Sequence, residues 1–166
     1  VALAVNNAGS LNVPLATARS SRVQSLLIYL AIEADHAHSR DALAALLWPD
    51  ESERAAKQNL RQALYELRQL LGGSMRAQAQ ARPFLRVGHN TVQFDSNSDY
   101  ALDVATFVAH LEAHRLEEAA QLYQGDLLPG MAVGSEPCEE WLALARERYH
   151  ILALDALGQL AHQALD

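Results

Sequence analysis

Apolar positions recur with the period of an α-helix in six stretches of this chain, and alternate like short strands in between. Starting at Ser20 or Ser21, Val23, Leu26, Leu27, Leu30 and Ala31 fall at i, i+3, i+4, i+7 and i+8, which predicts a first helix. After a polar break, Ser39-Arg40-Asp41 opens a short second helix over DALAALLW. Pro49 ends it, because a proline ring and its missing N–H cannot continue the hydrogen-bond ladder.

Ser52 is placed to cap a third helix from Glu53 to Leu71, which Gly72-Gly73 terminates. At about 100° per residue, Ala56, Leu60, Ala63, Leu64, Leu67, Leu70 and Leu71 share one face. The opposite face holds Arg54, Lys57, Gln58, Arg61, Gln62, Tyr65, Arg68 and Gln69, so it is basic and rich in amides. Two short β-like runs follow, 84–87 and 91–94, joined through Gly88-His89-Asn90 as a hairpin. The opening residues 1–18 predict another small hairpin, turned at Asn6-Asn7 or Gly9-Ser10. Beyond Ser98 the pattern is all helical: about 103–114, about 115–124, a Gly/Pro-rich link GDLLPGMAVGSEP, and a long helix over about 136–164. A boundary near Asn97 to Tyr100 divides the chain into residues 1–98 and 99–166.

Composition sharpens this picture in three ways. With 166 residues, 50% of them hydrophobic and 20% charged, the chain has material for one domain or two small ones. The single cysteine, Cys138, excludes an intramolecular disulfide and a cysteine-based zinc finger, and fits a reducing cytoplasm. No stretch is apolar for the roughly 18 residues that a membrane span needs, and the opening has no signal-peptide pattern, so a soluble cytoplasmic protein is expected. The opening without Met and the close within a helical pattern read as a piece of a longer protein.

The formal charge of −7 argues at first against nucleic acid, but it is unevenly placed. Residues 1–98 carry ten Lys/Arg against eight Asp/Glu, whereas residues 99–166 carry three against twelve. Between Arg54 and Arg86 there are seven basic residues and one acid, Glu66. Three helices, the last with a basic face, followed by a hairpin, make the plan of a winged helix-turn-helix, whose third helix enters the major groove. Clustered cations neutralise phosphates, and Arg and Gln are the side chains that fork onto guanine and adenine edges. The plainer reading, a solvated helix face, is weakened by the single sign of the stripe, its place on the third helix and the hairpin that follows.

The residues also carry a family resemblance. The runs Ser25-Leu-Leu-Ile-Tyr-Leu-Ala-Ile-Glu33, His38-Ser-Arg-Asp-Ala-Leu-Ala-Ala-Leu-Leu-Trp-Pro-Asp50 and Asn59-Leu-Arg-Gln-Ala-Leu-Tyr-Glu-Leu-Arg-Gln-Leu-Leu71 resemble the DNA-binding domain of SARP-type (antibiotic regulatory protein) transcriptional activators. Leu102-Asp103, Phe107, Leu122-Tyr-Gln-Gly-Asp-Leu-Leu-Pro-Gly130, Glu140-Trp141 and Arg146-Glu-Arg148 resemble the bacterial transcriptional activator domain that follows it. The resemblance implies a mainly α fold with small β-hairpins, an OmpR-like winged helix-turn-helix followed by the first helices of a TPR-like domain. It implies a sequence-specific regulator that binds promoter double-stranded DNA. Arg54, Lys57, Gln58, Arg61, Gln62 and Tyr65 would lie nearest the DNA, Arg86, His89 and Asn90 would form the wing, and Arg19 and Arg22 would clamp phosphates. The acidic helical half suits contact with protein, RNA polymerase among the candidates, and a dimer on DNA fits the same plan.

Other constellations compete with this reading. His110 and His114 have the spacing of two zinc ligands on a helix, and His36-x-His38 is a weaker pair, but neither has a third ligand fixed by the sequence. Trp48 and Trp141 read as packing residues, and Asp126 as part of a structured turn in the resembling family. Phosphate-cradling loops, nucleophile elbows and H-E-x-x-H motifs are missing, so the expectation is no enzyme, no cofactor and no metal. The competing class is a protein–protein adaptor with a TPR-like surface, whose third helix would lack a continuous positive strip.

Overall fold

A computed structural model describes residues 3–4, 20–72, 84–95 and 101–165. Its elements in chain order are β1 (Leu3–Ala4), α1 (Ser21–Ile32), β2 (His38–Ser39), α2 (Arg40–Leu47), α3 (Glu53–Gly72), β3 (Leu85–Val87), β4 (Thr91–Phe94), β5 (Ala101–Leu102), α4 (Asp103–Glu112), α5 (Leu116–Leu122) and α6 (Glu136–Gln163). The fold is mainly helical, and each helix sits where the apolar spacing placed it. None of the described helices is long and apolar enough to cross a membrane.

Serine caps start most of these helices. Ser20 Oγ accepts from Arg22 N at 3.2 Å, Ser39 Oγ from Ala42 N at 3.0 Å, Ser52 Oγ from Ala55 N at 3.4 Å and Ser135 Oγ from Cys138 N at 3.4 Å. Each satisfies a first-turn N–H that has no partner inside its own helix. Asp41 and Glu53 add negative charge to the first turns of α2 and α3, where the helix dipole favours it.

β2, β4 and β3 form an antiparallel sheet in that order, with His38 opposite Val92, Ser39 opposite Thr91, and Leu85 opposite Phe94. The hairpin of β3 and β4 is the one read from sequence. The edge strand β2 is not, since His38–Ser39 is two residues long inside a polar break. What holds it is tertiary: His38 is buried, its Nε2 lies 2.8 Å from the Glu33 carbonyl, and its ring meets Tyr29 edge-on. β1 pairs antiparallel with β5, Leu3 opposite Leu102. The rest of the hairpin expected in residues 1–18, and the boundary expected near residues 97–100, lie outside the described residues.

One hydrophobic cluster runs through both parts of the chain. Leu26, Leu27 and Leu30 of α1 meet Leu43 and Leu47 of α2, Leu60 and Leu67 of α3, and Val92 and Phe94 of β4. The same cluster continues into Val133, Cys138 and Leu142. Polar bonds stitch the seam: Ser135 Oγ donates to the Leu46 carbonyl at 2.7 Å, Ser25 Oγ to the Val133 carbonyl at 2.8 Å, and the Trp141 indole to Glu33 Oε1 at 3.0 Å. Trp141 also packs edge-on against Tyr29, with centroids 4.8 Å apart. Both are packing roles, as expected for this tryptophan.

Arg146 gathers the Gly/Pro-rich link before α6. Arg146 donates to the carbonyls of Leu127 at 2.9 Å, Leu128 at 2.7 Å and Met131 at 3.4 Å, while Leu127 and Leu128 are buried. Carbonyls with no partner in a helix or strand thus gain a charged donor. Gly134, at φ +77°, sits 3.6 Å from Ser21 Oγ as measured from an added Cβ, so both its dihedral and its closeness to α1 favour glycine.

Candidate nucleic-acid interface

The exposed side of α3 is the most distinctive surface of the molecule. Ala56, Leu60, Ala63, Leu64, Leu67 and Leu71 are buried, and this anchors the helix so that Arg54, Gln58, Arg61, Gln62, Tyr65, Arg68 and Gln69 point away from the core and are exposed. With 20 residues the helix is about 30 Å long, enough to lie along a major groove. Tyr65, 58% exposed, sits in the middle of this face.

The charge on this face is less continuous than the linear count suggests. Lys57 Nζ is bound by Glu53 Oε1 at 2.6 Å and by Asp41 Oδ1 at 3.0 Å. Those two hydrogen bonds, Glu53 first, hold the ammonium above its ordinary pKa. Gln62 donates to Glu66 at 3.0 Å, and Arg61 donates to Gln58 Oε1 at 3.2 Å. Among the described residues Arg54, Arg61 and Arg68 make no ion pair, so these three are the cations free to meet a phosphate or a base. Arg76 and Arg82, which contribute to the linear count, lie outside the described residues.

Around the hairpin turn, His89 and Asn90 are exposed. Gly88 N donates to the Thr91 carbonyl at 2.9 Å, and a Cβ on Gly88 would stand 2.9 Å from Thr91 Oγ1, so the tight turn needs its glycine. Arg86 is not a free cation. Its Nε and Nη2 bind the two oxygens of buried Asp95 at 2.9 and 3.0 Å, a fork-to-fork pair that fixes the hairpin.

The sequence reading overlooked Arg40 and Asp41. Arg40 donates from its backbone to the Asn90 carbonyl at 2.9 Å and from Nη2 to the Gly88 carbonyl at 3.2 Å. Its neighbour Asp41 holds Lys57. The first turn of α2 therefore connects the hairpin turn to the start of α3. The only signal in the sequence was a charged pair at a helix start, which has many other uses.

Arg22 lies at the start of α1, beside α3. A cleft of about 240 Å³ is lined by Ser20, Arg22, Trp48, Asn59, Gln62 and Glu66. Arg22 Nη1 is fully enclosed and has no hydrogen-bond partner, and its guanidinium lies beside the Gly134 turn, with Cζ 3.8 Å from a Cβ added there. The structure thus brings Arg22 and Gln62 together, whereas Arg19 lies outside the described residues. His114 falls beyond the end of α4 at φ 53°, so the suggested pair with His110 does not share a helix face. Among the described residues no group of three or more His, Cys, Asp or Glu is placed to hold a metal.

No family model, no curated protein and no solved structure matches the chain.

Proposed function

We propose that the chain is a sequence-specific DNA-binding transcriptional regulator of winged helix-turn-helix type, with α3 as its recognition helix and the β3–β4 hairpin as its wing. One observation carries the reading: α3 turns outward amides and three arginines that make no ion pair among the described residues, on the third helix of a trihelical unit closed by a three-stranded sheet. Arg54, Arg61 and Gln62 supply base-reading forks, Arg68 supplies a phosphate contact, and His89 and Asn90 touch the backbone from the hairpin turn. The helical segment from α4 to α6 braces α1 and α2 through Ser135, Trp141 and Arg148, and fits the TPR-like activator half that the SARP resemblance implies.

Selection of duplexes from a random pool, followed by titration at several salt concentrations, tests the proposal. Enrichment of a defined site, with affinity falling linearly in log salt, is the expected result. Failure to retain any duplex at low salt by a folded chain would refute it. The adaptor reading keeps one observation in its favour: Lys57 and Arg86 are both neutralised by acids, which interrupts the positive strip.

A further inference from the structure

Glu66 is the one acid between Arg54 and Arg86. Among the described residues it makes no ion pair, and it stands half-buried at the cleft that Ser20, Trp48 and Asn59 also line. A carboxylate on a helix that faces DNA repels phosphates, so it lowers affinity for every sequence alike. What Glu66 does hold is Gln62, exposed on the outward face, whose Nε2 donates to Glu66 Oε1 at 3.0 Å one helical turn along. The other amides of the face, Gln58 and Gln69, have no acid as a hydrogen-bond partner among the described residues; Gln58 accepts from Arg61 instead.

The chemistry of the pair fixes which way the amide points. A carboxylate only accepts, so Gln62 must turn its nitrogen, not its oxygen, toward Glu66. A flipped amide would set two acceptors against each other. Glu66 takes one of the two amide hydrogens, and Oε1 and the other hydrogen remain for a partner. One acceptor beside one donor answers adenine, whose major-groove edge carries the N7 acceptor beside the N6 donor. Guanine presents two acceptors, thymine an acceptor and a methyl, and cytosine a donor alone, so each leaves one Gln62 atom unanswered. A glutamine without an acid neighbour turns freely and can offer both amide hydrogens to guanine.

We infer that Glu66 is a positioning residue for Gln62, and that Gln62 so held reads one adenine in the DNA site while Glu66 touches no base. The inference rests on α3 being the recognition helix. The lone acid of the basic stripe then lowers affinity in general and sharpens the choice of base at one position.

The test uses the duplex selected from a random pool, made in all four versions at the base pair where Gln62→Ala relaxes preference. For the unaltered chain, anisotropy titrations are expected to show adenine preferred there over guanine by about tenfold or more, the range of one bidentate pair. Glu66→Ala is expected to lose most of that preference and to bind the guanine version more tightly, since a negative charge is gone and the amide can turn. Glu66→Gln keeps an acceptor oxygen and is expected to restore part of the preference. In a Gln62→Ala background, Glu66→Ala is expected to change no preference at all. A Glu66→Ala chain that tightens on all four versions equally overturns the inference, because Glu66 is then only a repelling charge. So does a preference of the unaltered chain for a base other than adenine at that pair, which decides the matter even where Glu66→Ala does not fold. A folded chain that retains no duplex refutes the recognition helix itself, and the inference with it.

Discussion

Arg86 and Asp95 hold each other across the β3–β4 hairpin by two parallel hydrogen bonds of 2.9 and 3.0 Å, with the carboxylate buried and the guanidinium half exposed. The pair converts a wing cation into a structural clamp. Arg86→Ala is therefore expected to cost about 1–3 kcal/mol of folding stability, since a charged hydrogen-bond partner is lost beside a buried carboxylate. Thermal or denaturant unfolding of the variant measures it. A stable Arg86→Ala chain with sharply weakened DNA binding would instead place Arg86 on phosphate.

The α3 cations separate into two groups by the same logic. Lys57 is already neutralised by Glu53 and Asp41, whereas Arg61 faces outward with an amide as its neighbour. Arg61→Ala is expected to cost about 1–3 kcal/mol on the preferred duplex and to relax base preference at one position. Lys57→Ala is expected to change the salt slope of binding by well under one unit. Anisotropy titrations on matched and mismatched duplexes distinguish the two, and a larger salt effect from Lys57→Ala would remove the neutralisation argument.

How much of this was legible in the sequence follows from where the information lies. All six described helices and the hairpin were readable because their signals are local: serine caps, 3.6-residue periodicity and glycine or proline stops. β2 was not, because His38–Ser39 owes its strand conformation to partners at Val92 and Thr91, far along the chain. The same holds for the site. The outward face of α3 follows from periodicity alone, but that Asp41 quenches Lys57 and Asp95 quenches Arg86 depends on contacts between elements. A charge count within one window misses acids that arrive from outside it.

α4 ends in a turn that glycine would fit better. His114 adopts φ 53°, its N–H donates to the Leu111 carbonyl at 3.0 Å, and Arg115 N donates to the His110 carbonyl at 2.9 Å. This is the paired-bond ending of a helix whose left-handed position is usually glycine. His114 is exposed, so little packing is lost on replacement. His114→Gly is expected to hold or raise stability by up to about 1 kcal/mol, in contrast to the loss expected for glycine inside a helix. Comparing His114→Gly with His114→Val in thermal melts checks this, because a β-branched residue should be the worse of the two at this dihedral.

Burial pushes the Cys138 thiol up, and burial also pushes up the phenols of Tyr29 and Tyr149, with Glu33 adding to the rise at Tyr29 and the Arg148 cation opposing it at Tyr149. An acid whose pKa is raised by folding keeps its proton longer in the folded chain than in the unfolded one. Its contribution is fully present below the unfolded values, about 8.5 for a thiol and 10 for a phenol, and is lost as pH rises through the folded values. Stability is therefore expected to hold through neutral pH and to fall increasingly above about pH 9. At neutral pH the native thiol, 1% exposed, should react with a thiol-specific reagent only as fast as the chain opens, and rapidly in denaturant. A thiol that reacts at once in the native chain, or stability that rises between pH 9 and 11, would contradict the buried seam between α2 and α6 on which Cys138 sits.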